Sequence, residues 1–584
     1  MNHFSGPRKN LYAHLGISLI VLASVPALGA PPRPQPPKPS QSASPSSAKK
    51  TPPPAQKPQS KVTVINGVQI SGYNTIHITL GSRYQLSGPN TQILVTNKPA
   101  HATLRFHADL VESSDNMVTV NMSGHIRYTI SRTPPGGAAQ TIQGTASHGI
   151  YYSKAKRFEM TGGVDATITD SSILSGPGTV RAERVIMDMA STPFTYTLSG
   201  GDGTDTVRLP LREQAAGSAG TFRGGGTVDL HGFATGTLQM GRSAEFSGPD
   251  TTIDYANPAE RTTAHLQAHR VGAAFGGAPA VLQSLEANGD VRFNAERGSP
   301  TGGAPQTIHG HSGYALYPLQ DQQLTLSGGV DALLTSPQDL QGPARIAGER
   351  VSARLATPAR YEIAGSPSST LLEFTPRRRP APASSSAGTT AAQTFAIGTV
   401  TITGFDRGAF EPGRTADITG PRTSFATADK QAGTSAHLQA SHVVATFAPD
   451  QTIGNAVASG NVHYQVERPA ATGGGHQRVD GTAQRLTLTN TQDTRQIVVQ
   501  GPLHAEIVDP VHLAAPGHIT GQAGDRLTLD LASKVSQFDI DSPNQTATID
   551  FVPRQTSAPA SQPVAPARLQ EHRSPTRTDV KPGK

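Results

Sequence analysis

The chain reads as an all-β protein made of three tandem copies of one antiparallel unit, and three observations predict it. Apolar and polar residues alternate at period two rather than 3.6. Gly or Gly-Pro interrupts the alternation about every ten to fifteen residues, as expected of short antiparallel strands with one buried face. Six short blocks also recur in the same order three times, 166 and 173 residues apart at Gly162, Gly328 and Gly501. That period is domain-sized, which favours tandem domains over a short-period solenoid.

The clearest block reads QGTASHGIYYSKAKRFEMTGGVDATI at 143–168, HGHSGYALYPLQDQQLTLSGGVDALL at 309–334 and DGTAQRLTLTNTQDTRQIVVQGPLHAEI at 480–507. Within it, Phe158, Met160, Val164, Ala166 and Ile168 share one strand face, and Glu159, Thr161, Asp165 and Thr167 the other. Leu324, Leu326, Val330, Ala332 and Leu334 repeat the apolar face in the second copy, and Ile497, Val499, Leu503, Ala505 and Ile507 in the third. Upstream stand SGHIRY, NGDVRF and SGNVHY, preceded by Gly88-Pro89, Gly248-Pro249 and Gly420-Pro421. Each copy closes on a short apolar strand and a proline, at Pro210, Pro376 and Pro553.

The ends are of another kind. Arg8 and Lys9 precede the apolar run Leu15–Leu28, and small residues follow at Ala27 and Gly29, the order of a secretory signal. A run this short falls below the ~20 residues of a bilayer span, so residues 1–29 are expected to be a cleaved export signal, the alternative being an uncleaved inner-membrane anchor. Residues 30–61 form a Pro/Ser/Lys-rich linker, 377–393 a second linker opening on an arginine triplet, and 554–584 a disordered basic tail. Between them lie three β domains, at 62–212, 213–376 and 394–553.

Composition narrows function. Eight basic groups and no acid precede residue 62, and the tail adds six basic groups against two acids, so the ordered chain carries about −5 of the overall +7. A basic patch for nucleic acid is therefore not expected on the folded part. The chain has no Cys, which excludes disulfide partners, thiolate metal sites and a Cys nucleophile, and no Trp, which weakens any case for sugar stacking.

Candidate chemistry is sparse. Gly200–Arg208 (GGDGTDTVR) matches a calcium-binding nonapeptide once, whereas such sites stack several turns, so a hairpin turn accounts for it better. His265 and His269, like His437 and His442, lie four residues or so apart, roughly 13 Å along a strand and too far for one ion. Asp165 and Asp331 lack the paired carboxylate a glycosidase would need. No metal, cofactor or catalytic activity is expected.

The motif residues Gly144, Ala146, Tyr151, Met160, Thr161, Gly162, Gly176 and Val185, with Gly310, Tyr317, Leu326, Ser327, Gly328, Gly342 and Val351 in the second copy, resemble the pattern of the OstA-like (LptA/LptC) family of periplasmic lipopolysaccharide-transport proteins. The likeness covers about 62–553. The third copy departs from it, with Leu488 in place of the Tyr and His504 where the others have Asp165 and Asp331. The resemblance implies V-shaped antiparallel β-jelly rolls with an apolar groove, stacked by strand-edge pairing with other OstA-like domains, and lipopolysaccharide or a similar glycolipid as partner. Three copies in one chain is a departure from the usual single domain.

The expected apolar lining is Ile126, Tyr128, Tyr151, Phe158, Met160, Val164 and Ile168 in the first copy. In the second it is Val291, Phe293, Tyr317, Leu324, Leu326, Val330 and Leu334, and in the third Val462, Tyr464, Leu488, Ile497, Val499, Leu503 and Ile507. The expected function is a periplasmic carrier or bridge moving such a lipid toward the outer membrane, the alternative being a non-catalytic structural or adhesive β-repeat protein with closed cores, in which the same residues fill the interior.

Overall fold

The computed structural model describes residues 62–554 apart from short gaps at 66, 80–81, 115–116, 134–137, 192, 202–203, 214–223, 260, 277–280, 299–302, 319–322, 338–339, 355–359, 378–397, 430–432, 449–452, 471–474, 492–493 and 531–536. The export segment, the first linker and the tail beyond 554 lie outside the described residues, as does all of the second linker except Arg377.

The described residues form strands joined by turns and bends, antiparallel throughout. Module 1 holds β1 (Thr63–Ile65), β2 (Val68–Ser71), β3 (Thr75–Thr79), β4 (Arg83–Asn97), β5 (Ala102–Ser114), β6 (Thr119–Arg132), β7 (Gln140–Tyr152), β8 (Arg157–Asp170), β9 (Gly178–Asp188), β10 (Thr195–Ser199) and β11 (Thr206–Glu213). Module 2 holds β12 (Gly224–His231), β13 (Thr235–Gln239), β14 (Ser243–Asn257), β15 (Thr262–Gly276), β16 (Val281–Arg297), β17 (Gln306–Pro318), β18 (Gln323–Thr335), β19 (Ala344–Arg354), β20 (Arg360–Ala364) and β21 (Leu371–Phe374). Module 3 holds β22 (Thr399–Thr403), β23 (Arg407–Glu411), β24 (Thr415–Asp429), β25 (Thr434–Phe447), β26 (Ile453–Pro469), β27 (His476–Asn490), β28 (Arg495–Gln500), β29 (Leu503–Val508), β30 (Gly517–Gly521), β31 (Arg526–Asp530), β32 (Gln537–Asp541) and β33 (Thr548–Asp550).

The recurrent glycines explain how one meander becomes two facing sheets. The long strands slip register near their middles, as at Ser123/Ile126 in β6 and Thr161/Val164 in β8. Gly124-His125, Gly289-Asp290 and Gly460-Asn461 each take two successive positive φ angles there, as do Gly162-Gly163 and Gly328-Gly329. Such bulges bend the strand and raise its twist, and glycine takes positive φ without a Cβ clash. Half of each long strand thus belongs to sheet I and half to sheet II. At the start of module 1, β4 pairs its C-terminal half with β2 and its N-terminal half with β3.

Module 3 shows the consequence of losing one such glycine. Position 502 is Pro, whose φ is held near −65°, where modules 1 and 2 have Gly163 at φ 75° and Gly329 at φ 78°. The strand that is continuous as β8 and β18 is broken there into β28 and β29.

The modules are not separate sheets. β9 pairs with both β10 and β11, these pair with β13 and β12, and both of those pair with β14, closing a six-strand ring between modules 1 and 2. β19, β20, β23, β24, β22 and β21 close a second ring between modules 2 and 3. Both sheets therefore run unbroken through all three copies.

Candidate functional site

Register places the inward residues in continuous rows. In sheet I one row begins Ile70, Ile93, Phe106, Tyr128, Gly144, Ala166, Val180, Val207, Leu230 and Ile253. It continues through Leu266, Phe293, Gly310, Ala332, Ile346, Leu372 and Ile402. It ends with Phe425, Leu438, Tyr464, Gly481, Ala505, Ile519 and Ile549. Sheet II carries a matching row from Leu86 and Val111 through Met160, Phe246, Leu326, Ile418 and Val499 to Ile540. No charged residue stands among these.

The expected lining residues all point into this space. Phe293, Leu334 and Leu488 are half-buried, and the others are less than 9% exposed, with Ile126, Phe158, Val291 and Val499 fully covered. The protein's own side chains cover most of the lining, above all in module 1. There Phe106 of sheet I meets Phe158 of sheet II with ring centroids 4.4 Å apart, and Tyr128 stands 6.4 Å from Phe158. Across the open ends of the same sheets, the Arg132 guanidinium sits 4.7 Å over the Phe194 ring, and Asn97 Nδ2 donates to Met189 O at 3.5 Å.

Modules 2 and 3 are less completely covered at several matching positions. Ile93, Phe106 and Tyr128 are buried, but their counterparts Ile253, Leu266 and Phe293 are half-buried; in module 3 Phe425 and Leu438 are half-buried and Tyr464 is buried. The opposing row explains the difference. Where module 1 presents Tyr84, Tyr151, Phe158, Met187 and Tyr196, module 2 has Ala244, Tyr317, Leu324, Ala353 and Tyr361, and module 3 has Ala416, Leu488, Ile497, Leu529 and Phe538. Module 3 keeps a cavity of about 40 Å³, walled by apolar residues such as Val466, Val479, Ile497 and Phe538 and by the polar Arg468, Gln477, Arg478, Asp509, Asp530 and Gln537. Tyr464 Oη is buried there without a hydrogen-bond partner. Burial, and then the charge of Asp480, push this phenol far up its titration range, so it stays protonated.

A polar line runs along one mouth and repeats by module. Gln140 Nε2 donates to Asp170 Oδ2 at 2.6 Å beside Arg132. Gln306 Nε2 donates to Ser336 Oγ at 3.2 Å beside Arg297. In module 3, Arg468 Nε donates to Gln477 Oε1 at 2.9 Å, and Gln477 Nε2 to Asp509 Oδ2 at 2.8 Å. Sequence reasoning missed this line, although the recurrence of Arg-Gln-Asp/Ser at module spacing was available as its signal. It also missed the triplets Ser71-Gly72-Tyr73, His231-Gly232-Phe233 and Thr403-Gly404-Phe405, whose Phe233 and Phe405 are buried in the core.

The other candidates lie outside this space. Asp165 and Asp331 pair with Arg181 at 3.2 Å and Arg345 at 2.7 Å on the outer face; at the third position His504 stacks on His518 instead, centroids 6.0 Å apart. His265 binds Asp254 at 2.7 Å, and His442 binds Asp417 at 2.9 Å. Asp205 of the nonapeptide accepts from Gly201 N at 2.8 Å and Glu183 N at 3.0 Å, tying the turn between β10 and β11 to β9; Asp202 and Gly203 lie outside the described residues.

No protein-family model matches the chain, and no curated protein matches it.

Proposed function

We propose that this protein is an exported carrier of an acylated amphiphile, lipopolysaccharide or a related glycolipid, which it passes toward the outer membrane of a two-membrane envelope with the acyl chains held between its sheets. The role is binding rather than catalysis. One observation carries the reading: two charge-free apolar rows face each other through three fused modules, and Ile253, Leu266, Phe293, Phe425 and Leu438 of the first row are only partly buried. Each buried CH₂ contributes roughly 0.8 kcal/mol, so incompletely covered inner rows favour a hydrocarbon guest.

The free ends support partners of the same architecture, joined by strand pairing. At one end Val62, Val64 and Ile78 stand 51–61% exposed beside β1 and β3, and at the other Ile549, Phe551 and Val552 beside β33. These are the strand positions that pair between modules inside the chain.

The test is native mass spectrometry of the full chain after detergent-free purification from a diderm host. Adducts of lipid mass are expected, and a ligand-free spectrum overturns the reading. The second reading, a structural or adhesive β-repeat, is favoured by one observation: the interior of module 1 is filled by its own aromatic rings.

A further inference from the structure

We infer that the outer face of sheet I in module 1 docks on an anionic bilayer surface, through Arg105, His107 and Arg127 and the valines of β1. This goes beyond the carrier reading and does not depend on it.

Register gathers three basic groups on this face. Arg105 and His107 stand two residues apart on β5, and His107 lies directly opposite Arg127 of β6, so the three side chains start within about 8 Å of one another. All three are exposed. Modules 2 and 3 set carboxylates around the matching positions: His265 pairs with Asp254 at 2.7 Å, Arg292 with Asp290 at 3.1 Å and His463 with Asp480 at 3.0 Å. Module 1 has Leu94, His125 and Gln143 where those three acids stand. Its neighbouring carboxylates are engaged, Asp109 by His125 at 2.7 Å and Asp165 by Arg181 at 3.2 Å. Among the described residues neither Arg105 nor Arg127 is ion-paired. Burial, and then the charges of Arg105 and Arg127, hold the His107 imidazole below its ordinary value. The imbalance extends to the whole module: residues 62–212 hold 12 Lys and Arg against 10 Asp and Glu, whereas 213–376 and 394–553 each hold 10 against 15. Only module 1 is therefore attracted to an anionic surface.

Apolar groups share the face. The row that contains Arg105 runs back through Leu94 and Gln69 to Val64 of β1. β1 pairs with β2 in the place that β11 and β21 take at the two rings, where Arg208 and Glu373 hold the outward position. β1 has Val64 there, 61% exposed, and Val62 just before the strand is 58% exposed. Exposed valines beside unpaired cations suit a partner that accepts both, which is the headgroup boundary of an anionic bilayer. A single-stranded nucleic acid would call for aromatic stacking platforms, and these rows hold no Phe or Tyr. The preceding chain adds to the same charge. Residues 30–61 carry six basic groups and no acid, and they lead into β1 at this edge of sheet I.

The experiment is flotation of the full chain with vesicles of phosphatidylcholine, with and without phosphatidylglycerol. Binding is expected only with phosphatidylglycerol, and it should weaken as salt rises. Arg105→Gln combined with Arg127→Gln should lower it about thirtyfold, at about 1 kcal/mol for each charge near the surface. Val64→Ser should lower it several-fold. Arg292→Gln combined with Arg345→Gln removes two charges from the same face of module 2 and should leave binding unchanged. All four arginines are exposed, and surface substitutions of this kind cost little stability. Undiminished binding in the module 1 variant overturns the inference, because the basic segment before β1 then carries the attraction alone. Equal loss in the module 2 variant overturns it as well, as does binding to neither vesicle or tighter binding to a DNA duplex than to the vesicles.

Discussion

Tyr128 lies across Gly144. A Cβ on that glycine would fall 2.5 Å from the phenolic oxygen, and Tyr464 covers Gly481 in the same way at 2.6 Å. These are adjacent strands at one level of the inner row, so the absent side chain is the seat of the ring. Gly144→Ala and Gly481→Ala should each destabilise the fold by about 1–3 kcal/mol through overpacking. Denaturant midpoints measure it, and unchanged midpoints would refute the seat.

The bulge glycines make a different demand. Gly163 has φ 75°, and a methyl group added to its Cα would meet nothing within 4 Å, so its constraint is backbone conformation alone. Gly163→Ala should cost about 1–2 kcal/mol, Gly163→Asn less, because Asn tolerates the left-handed region, and Gly163→Pro most. Thermal melts of the three variants test that order.

The filled and unfilled modules should respond unequally to truncation. Phe158→Ala removes a fully buried ring that two other rings contact, and should cost about 3–5 kcal/mol. Leu324→Ala, its register counterpart opposite half-buried neighbours, should cost less, about 2 kcal/mol. Equal losses in urea titrations would mean that module 2 is packed as densely as module 1.

Tyr464 carries a buried hydroxyl with no partner. Tyr464→Phe should leave stability unchanged or raise it by up to about 1 kcal/mol, since the desolvation penalty of the hydroxyl disappears. A fall of more than that in stability would show that the hydroxyl is hydrogen-bonded.

Asp331 gives a pH dependence with a definite sign. The hydrogen bond from Arg345 holds its carboxyl below the ordinary 3.8, burial opposing in part. A depressed folded value makes the contribution complete above the unfolded pKa, and it is lost as pH falls through the folded one. Arg345→Met should therefore reduce stability at neutral pH and leave it unchanged at pH values below both. A difference between variant and parent that persists undiminished in strong acid would contradict this.

Much of this was legible in the residues. Period-two alternation in 157–168 identified the inward face of β8 across its bulge, because a strand that turns a corner at Gly162-Gly163 keeps its apolar residues on the concave side. The spacing of Gly162, Gly328 and Gly501 located the same bend in each module. What did not show was occupancy. Tyr128 and Phe293 look alike as inward aromatics, yet one is sealed and the other half-open, because the deciding residues lie on the opposing sheet far away in sequence. The polar line of Arg132, Gln140 and Asp170 was likewise hidden, since each residue alone reads as an ordinary strand-end polar group.

The chain's local pattern alone determined that this protein is all-β, threefold repeated and apolar on one face of each strand, since alternation and glycine placement act within a few residues. Tertiary structure decided that the copies fuse into two shared sheets, that rings close between them, and that module 1 is filled by its own aromatic rings while module 3 keeps a small cavity. Those outcomes depend on the summed volume of side chains meeting across the gap, a quantity that no single strand contains.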